Sequence, residues 1–181
     1  LTDLAKQTPL TASAVFPAQP VKLGNLGIAY PATRLEVVKT TGAQREIKIT
    51  GSQMKVAEQV IYLSQGQRLI LASLTEEGQK ALQINGEFVK DQYDNQWRPV
   101  SLTATIDQPV LAEQSPLWTY AENLDNVYCA GCHAKISAKH YTVNAWPAVA
   151  KGMGARTDIS PEDLEILTKY FQYNAKDINS H

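Results

Sequence analysis

The sequence predicts an α+β fold: a small antiparallel β-barrel or sandwich followed by a small all-α domain. Two observations predict it. Between Leu23 and Ile106 the apolar residues come in short β-branched runs bounded by turn residues, whereas beyond about residue 110 they recur at helical spacing. The 181 residues and 44% apolar content suffice for one medium domain or two small ones.

Residues 1–22 contain Pro9, Pro17 and Pro20 and read as an extended arm or linker. Strands follow at Leu35-Glu36-Val37-Val38, at Glu46-Ile47-Lys48-Ile49 with period two, at Val60-Ile61-Tyr62-Leu63 and at Leu69-Ile70-Leu71. Thr75-Glu76-Glu77 is suited to cap a single helical turn between strands. Asn85-Gly86 and Tyr93-Asp94-Asn95 signal tight turns, and Trp97 to Ile106 reads as a long strand ending in alternation at Leu102, Ala104 and Ile106. About five to seven such strands close most economically into a small barrel or sandwich over residues 23–108. This segment holds no His and no Cys, and its acids are scattered, so it offers no catalytic constellation. Trp97 and Tyr62 read as core or barrel-end residues, with a binding platform as the alternative.

Residues 109–181 read as the helical domain, entered through a linker from Pro109 to Pro116. A short helix begins near Trp118 to Asp125. A second starts at Asn144 and Pro147, sets Trp146, Val149, Ala150 and Met153 on one face, and stops at Gly152 and Gly154. Ser160-Pro161-Glu162-Asp163 opens a third: an N-cap hydroxyl, a proline at the first position, and acids on the positive end of the helix dipole. Leu164, Leu167 and Phe171 are its buried stripe.

The first of these helices ends in Cys129-Ala130-Gly131-Cys132-His133, the Cys-x-x-Cys-His spacing that attaches a c-type haem. Each thiol would add to a haem vinyl group as a thioether, and His133 would give iron its proximal nitrogen. The all-α domain is therefore expected to be a cytochrome c haem domain with one covalent haem c. A structural zinc site would need a second ligand pair, which is missing, and a redox dithiol would need a βαβ context, which this segment lacks. For the sixth position on iron, Met153 is the methionine of this half, and it lies on the face turned to the haem. Trp146 shares that face and joins the cofactor wall. His140 is the alternative ligand; on a continuous helix it would lie two turns, about 10.5 Å, beyond His133 on the same side, which makes the opposite haem face awkward to reach. An open position is the third reading, and a core methionine is the ordinary fate of a residue such as Met153.

A formal net charge of −1 argues against a nucleic-acid partner, and no run of about 18 apolar residues could span a membrane. Between Cys129 and Thr157 stand Lys135, Lys139, Lys151 and Arg156 with no acid among them. That collar would steer an acidic redox partner, or merely balance the haem propionates. Covalent haem attachment in bacteria takes place outside the cytoplasm, so a periplasmic protein is expected. The chain opens at Leu1 without an initiator Met and reads as a processed chain or a piece of a longer one.

Tyr128 through His133, His140-Tyr141-Thr142, the run from Asn144 to Met153 and the run from Tyr170 to Asp177 resemble the C-terminal single-haem part of the pentahaem cytochromes c of bacterial trimethylamine N-oxide respiration. The runs Gly66 to Ala72 and Asp94 to Trp97 are similar to that family's haem-free portion. The resemblance implies that electrons arrive from a membrane-anchored four-haem module of the same polypeptide, fed by quinol, and pass to a periplasmic molybdenum reductase. With one haem motif and no anchor of its own, the chain is expected to be an electron-transfer module attached to the inner membrane through another part, not an enzyme. The rival expectations are a haem-based sensor or small-ligand binding module, and a docking module in which the β segment does the work.

Overall fold

The alternation that runs from Leu35 to Ile106 builds a single sheet. A computed structural model describes residues 1–131 and 134–179. It divides into two units, Leu1–Glu113 and Gln114–His181.

The first unit begins with α1 (Thr2–Lys6) and holds β1 (Ala14–Val15), β2 (Val21–Lys22), β3 (Gly27–Ala29), β4 (Leu35–Thr41), β5 (Gln44–Met54), β6 (Ala57–Ser64) and β7 (Gln67–Leu74). After α2 (Glu76–Ala81) come β8 (Gln83–Ile84), β9 (Val89–Lys90) and β10 (Gln96–Ile106). All ten strands join one sheet in the order β1-β4-β5-β6-β7-β3-β2, with β10 paired to β5, β8 and β9. The shape follows from the length of β5. Along one edge β10 pairs with it from Arg45–Ile106 to Met54–Trp97. The other edge is shared: β4 takes the end near Gln44, and β6 takes Ser52 to Met54. Gly51 stands at the handover, where a Cβ would fall on the Tyr62 carbonyl oxygen. Only glycine lets β6 come so close.

Alternation decides what is buried. Ile47 and Ile49 of β5 face the core with Leu102 and Ile106 of β10, and each is fully buried. Removing such a side chain from water contributes about 1.5–3 kcal/mol. At the far end of the same strand pair, Trp97 sets its edge against Tyr62 at 5.5 Å within a cluster that includes Met54 and Val60. The turn before Trp97 is held by Asp91, whose carboxylate accepts from the amides of Tyr93 and Asn95 and from the Trp97 indole. Thr75 caps α2 by accepting from the Gly78 amide at 3.1 Å.

The expected fold class, a small closed barrel or sandwich followed by a small all-α cytochrome c haem domain, is corrected here. The chain is mostly β: ten strands form one sheet that branches at β5, and β1 and β2, the ends of its order, do not pair with each other. A barrel would need that closure, and a sandwich would need two sheets; an eleven-residue β5 with two neighbours on one edge gives neither. Among the described residues the second unit has three short helices, α3 (Ser115–Tyr128), α4 (Trp146–Gly154) and α5 (Pro161–Tyr173), plus a 3₁₀ turn, Ala138–His140. The described residues of this unit are helical only in part, so the expected all-α haem domain is not what is seen.

Residues 1–22, expected as an extended arm, carry α1, β1 and β2, and their Val15 and Val21 are buried. The Phe16 amide donates to the Leu111 carbonyl at 2.8 Å and the Leu111 amide returns the bond at 2.7 Å, so residues 110–111 stay with the sheet and the unit boundary follows Glu113.

Gly51→Ala is expected to lower the stability of this unit by about 1–3 kcal/mol, since the added methyl must push β6 away. Urea unfolding followed by tryptophan fluorescence checks this; an unmoved midpoint would contradict the close approach.

Candidate haem attachment site

α3 carries Pro116 in its first turn and buries Leu117, Ala121, Leu124 and Asp125, a stripe at helical spacing. It ends at Cys129, where the amides of Cys129 and Ala130 both donate to the Asp125 carbonyl, at 2.9 and 3.2 Å. The first thiol of the motif is thus fixed at the helix terminus and half-buried. Cys132 and His133 lie outside the described residues.

α4 and α5 supply the opposing walls. The Ser160 hydroxyl accepts from the Asp163 amide at 3.1 Å and starts α5, as the sequence predicts. α4 runs through Gly152 and ends at Gly154. Trp146 at its start is fully buried, stacked on Phe171 of α5 with ring centroids 4.1 Å apart and planes 11° from parallel. Its indole donates to the Ala138 carbonyl at 2.8 Å, and Tyr141 sets its edge on the same ring. Trp118 of α3 meets Tyr170 and Tyr173 of α5 at 5.9 and 5.5 Å. Burial and a hydrogen bond donated to Glu122 push the Tyr170 phenol up to about 12. Burial pulls Lys169 down to about 8, and the neighbouring Glu165 carboxylate offsets part of that.

These contacts bring some of the expected site residues together and not others. Cys129 and Met153 line one narrow apolar cleft, whose remaining walls include Tyr128, Ala150, Leu164 and Leu167. A thiol able to become a thioether and a methionine sulfur in one apolar wall are of the two kinds a c-type haem uses, the first for covalent linkage and the second for iron. Trp146 is placed in the aromatic stack and not in the wall of that cleft. His140 is exposed and does not line it either. The continuous helix that would set His140 two turns beyond His133 does not form: residues 134–137 are non-helical, and the Ser137 hydroxyl, accepting from the Lys139 amide, starts a separate 3₁₀ turn.

Of the four cations in the acid-free stretch, Lys139, Lys151 and Arg156 are exposed. Lys135 reaches back to Asp125 at 3.4 Å and donates to the Asn126 side chain. Sequence reasoning missed Asp125. Its signal was present, because it falls four residues after Ala121 and eight after Leu117, on the stripe that α3 buries.

The family model for the TorC third cytochrome c domain matches residues 6–111. Over 178 residues the chain is 54% identical to the cytochrome c-type protein TorY of Escherichia coli O157:H7, which covers 98% of this chain and 49% of that protein. The chain belongs to the TorC/TorY family of c-type cytochromes. Within that family it is 33% identical to TorY of Haemophilus influenzae over 172 residues, 92% of this chain and 46% of that one. It is 27% identical to TorC of Escherichia coli K12 over 153 residues, 83% and 39% respectively. The chain spans about half the length, or less, of the curated relatives it matches. No solved structure matches it. The family is one of haem-carrying electron-transport proteins, yet residues 6–111 contain neither Cys nor His, so the haem motif lies beyond the stretch that the family model matches.

Replacing both Cys129 and Cys132 by Ala is expected to abolish covalent haem, and either single replacement to leave at most one thioether. Haem staining of denaturing gels reads this directly. Full retention of stain in the double variant would contradict attachment at the motif.

Proposed function

We propose that this chain is a periplasmic electron-transfer module, not an enzyme, with one covalent haem c. It passes electrons from a membrane-anchored, quinol-oxidising four-haem module of the same polypeptide to a terminal molybdenum reductase, that of trimethylamine N-oxide. The observation that carries this reading is the shared apolar cleft of Cys129 and Met153. A bound haem supplies a one-electron iron couple, so one electron enters and one leaves with no bond made or broken. The chain's residues do the rest. Cys129 and Cys132 would anchor the group, and His133 and Met153 would hold its iron. Leu164 and Leu167 keep water from the Met153 side, and Lys139, Lys151 and Arg156 face solvent where a partner would approach. Among the described residues no helix is long and apolar enough to cross a membrane; in this reading attachment to the inner membrane belongs to another part of the polypeptide.

Met153→His tests the ligation. A thioether ligand favours ferrous iron relative to imidazole, so the substitution is expected to lower the reduction potential and remove the weak red-edge absorption of an iron–sulfur bond. A spectrum and potential both unchanged would move the ligand to His140 or to an open site.

A second reading, in which the sheet unit is the docking surface, is favoured by the family model's match to that unit. The two separate by salt. Exposed charges are screened beyond about 8 Å at physiological ionic strength. If the collar docks the partner, stopped-flow oxidation by the reductase slows as salt rises, and Lys139→Glu with Lys151→Glu cuts the association rate while leaving the potential nearly unmoved. Rates indifferent to both would assign docking to the sheet unit.

A further inference from the structure

Asp125 is the polar residue of the second unit that packing does not explain. It is 2% exposed on the buried stripe of α3, and its Oδ2 has no hydrogen-bond donor among the described residues. A carboxylate so placed is costly unless something compensates its charge. Lys135 does so only in part: the pair is 3.4 Å apart, and the lysine side chain is 47% exposed. Both residues line an open groove of about 420 Å³ together with Ser137, Lys139, Tyr170 and Asn174. The neighbouring polar groups are otherwise engaged. The Tyr170 hydroxyl donates to Glu122, and the Asn174 amide donates to the Tyr170 carbonyl. The backbone of Asp125 meanwhile holds the amides of Cys129 and Ala130, which puts the residue one turn, about 6 Å along the axis, from the first attachment point.

We propose that Asp125 sets the reduction potential of the haem this motif attaches, its buried negative charge favouring the ferric state while Lys135 moderates it. The inference rests on the haem reading above. Ferric iron carries one positive charge more than ferrous, so a fixed anion nearby stabilises the oxidised form. In a region shielded from water that interaction is weakly screened, whereas the exposed cations of the collar are screened strongly. An ion pair that merely tied α3 to the 134–137 stretch would leave the potential where it is, and this distinguishes the two roles.

The experiment is spectroelectrochemistry on the haem-loaded chain. Asp125→Asn, which keeps the side chain's shape, is expected to shift the ferric-to-ferrous balance about tenfold toward ferrous, a rise of about 59 mV for a one-electron couple. Lys135→Gln should move it the other way by less, since Lys135 is half in solvent, and the double variant should return toward wild type. Spectra in both oxidation states should match wild type, showing that the axial ligands are intact. If Asp125→Asn fails to mature, the sign of the Lys135→Gln shift decides alone: a lowered potential supports the role, and an unchanged or raised one overturns it. Loaded variants with unmoved potentials overturn the role of Asp125 only. A wild-type chain with no covalent haem on a denaturing gel overturns both this and the haem reading.

Discussion

Trp146 and Phe171 lie nearly parallel with ring centroids 4.1 Å apart, and the cleft of the second unit is built outward from that contact. Ala150 and Met153 follow Trp146 by four and seven positions, while Leu167 and Leu164 precede Phe171 by the same steps. Residues at those spacings share a helix face, so fixing one aromatic pair turns both rows toward each other. All four residues line the cleft that Cys129 enters from α3. A buried stack of two large rings is a rigid way to hold the side chains of both rows in place. The indole hydrogen bond to Ala138 extends the constraint to the segment that follows the haem motif.

The stretch that the family model matches and the haem-attachment motif fall on different parts of the chain. The matched stretch, residues 6–111, coincides with the sheet unit, which contains neither Cys nor His. The Cys-x-x-Cys-His motif, Met153 and the exposed cations all belong to the other unit.

Much of this was legible in the sequence wherever a pattern is local. β5 and β10 announce themselves by period-two alternation, β4, β6 and β7 by short β-branched apolar runs, and Thr75 and Ser160 by cap chemistry. β1, β2, β8 and β9 are two residues long, too short to show any period. The branch at β5 was illegible because pairing partners are set by long-range contacts, and Gly51 reads as an ordinary strand glycine until Tyr62 lies against it. In the second unit the residues expected on one face of α4 divide: Ala150 and Met153 line the cleft and Trp146 stacks on Phe171. His140 was placed on a helix that Ser137 interrupts. Asp125 was passed over because a single acid in an apolar stripe resembles noise until its burial is known.

Carbon monoxide binding to the ferrous haem-loaded chain tests the central claim most directly. If Met153 takes the sixth position, as proposed, in the cleft it lines with Leu164 and Leu167, the ferrous absorption spectrum should be unchanged under a saturating atmosphere of the gas. Prompt conversion to a carbonyl spectrum would mean that the position is open, and the chain would then be a ligand-binding module instead of an electron carrier.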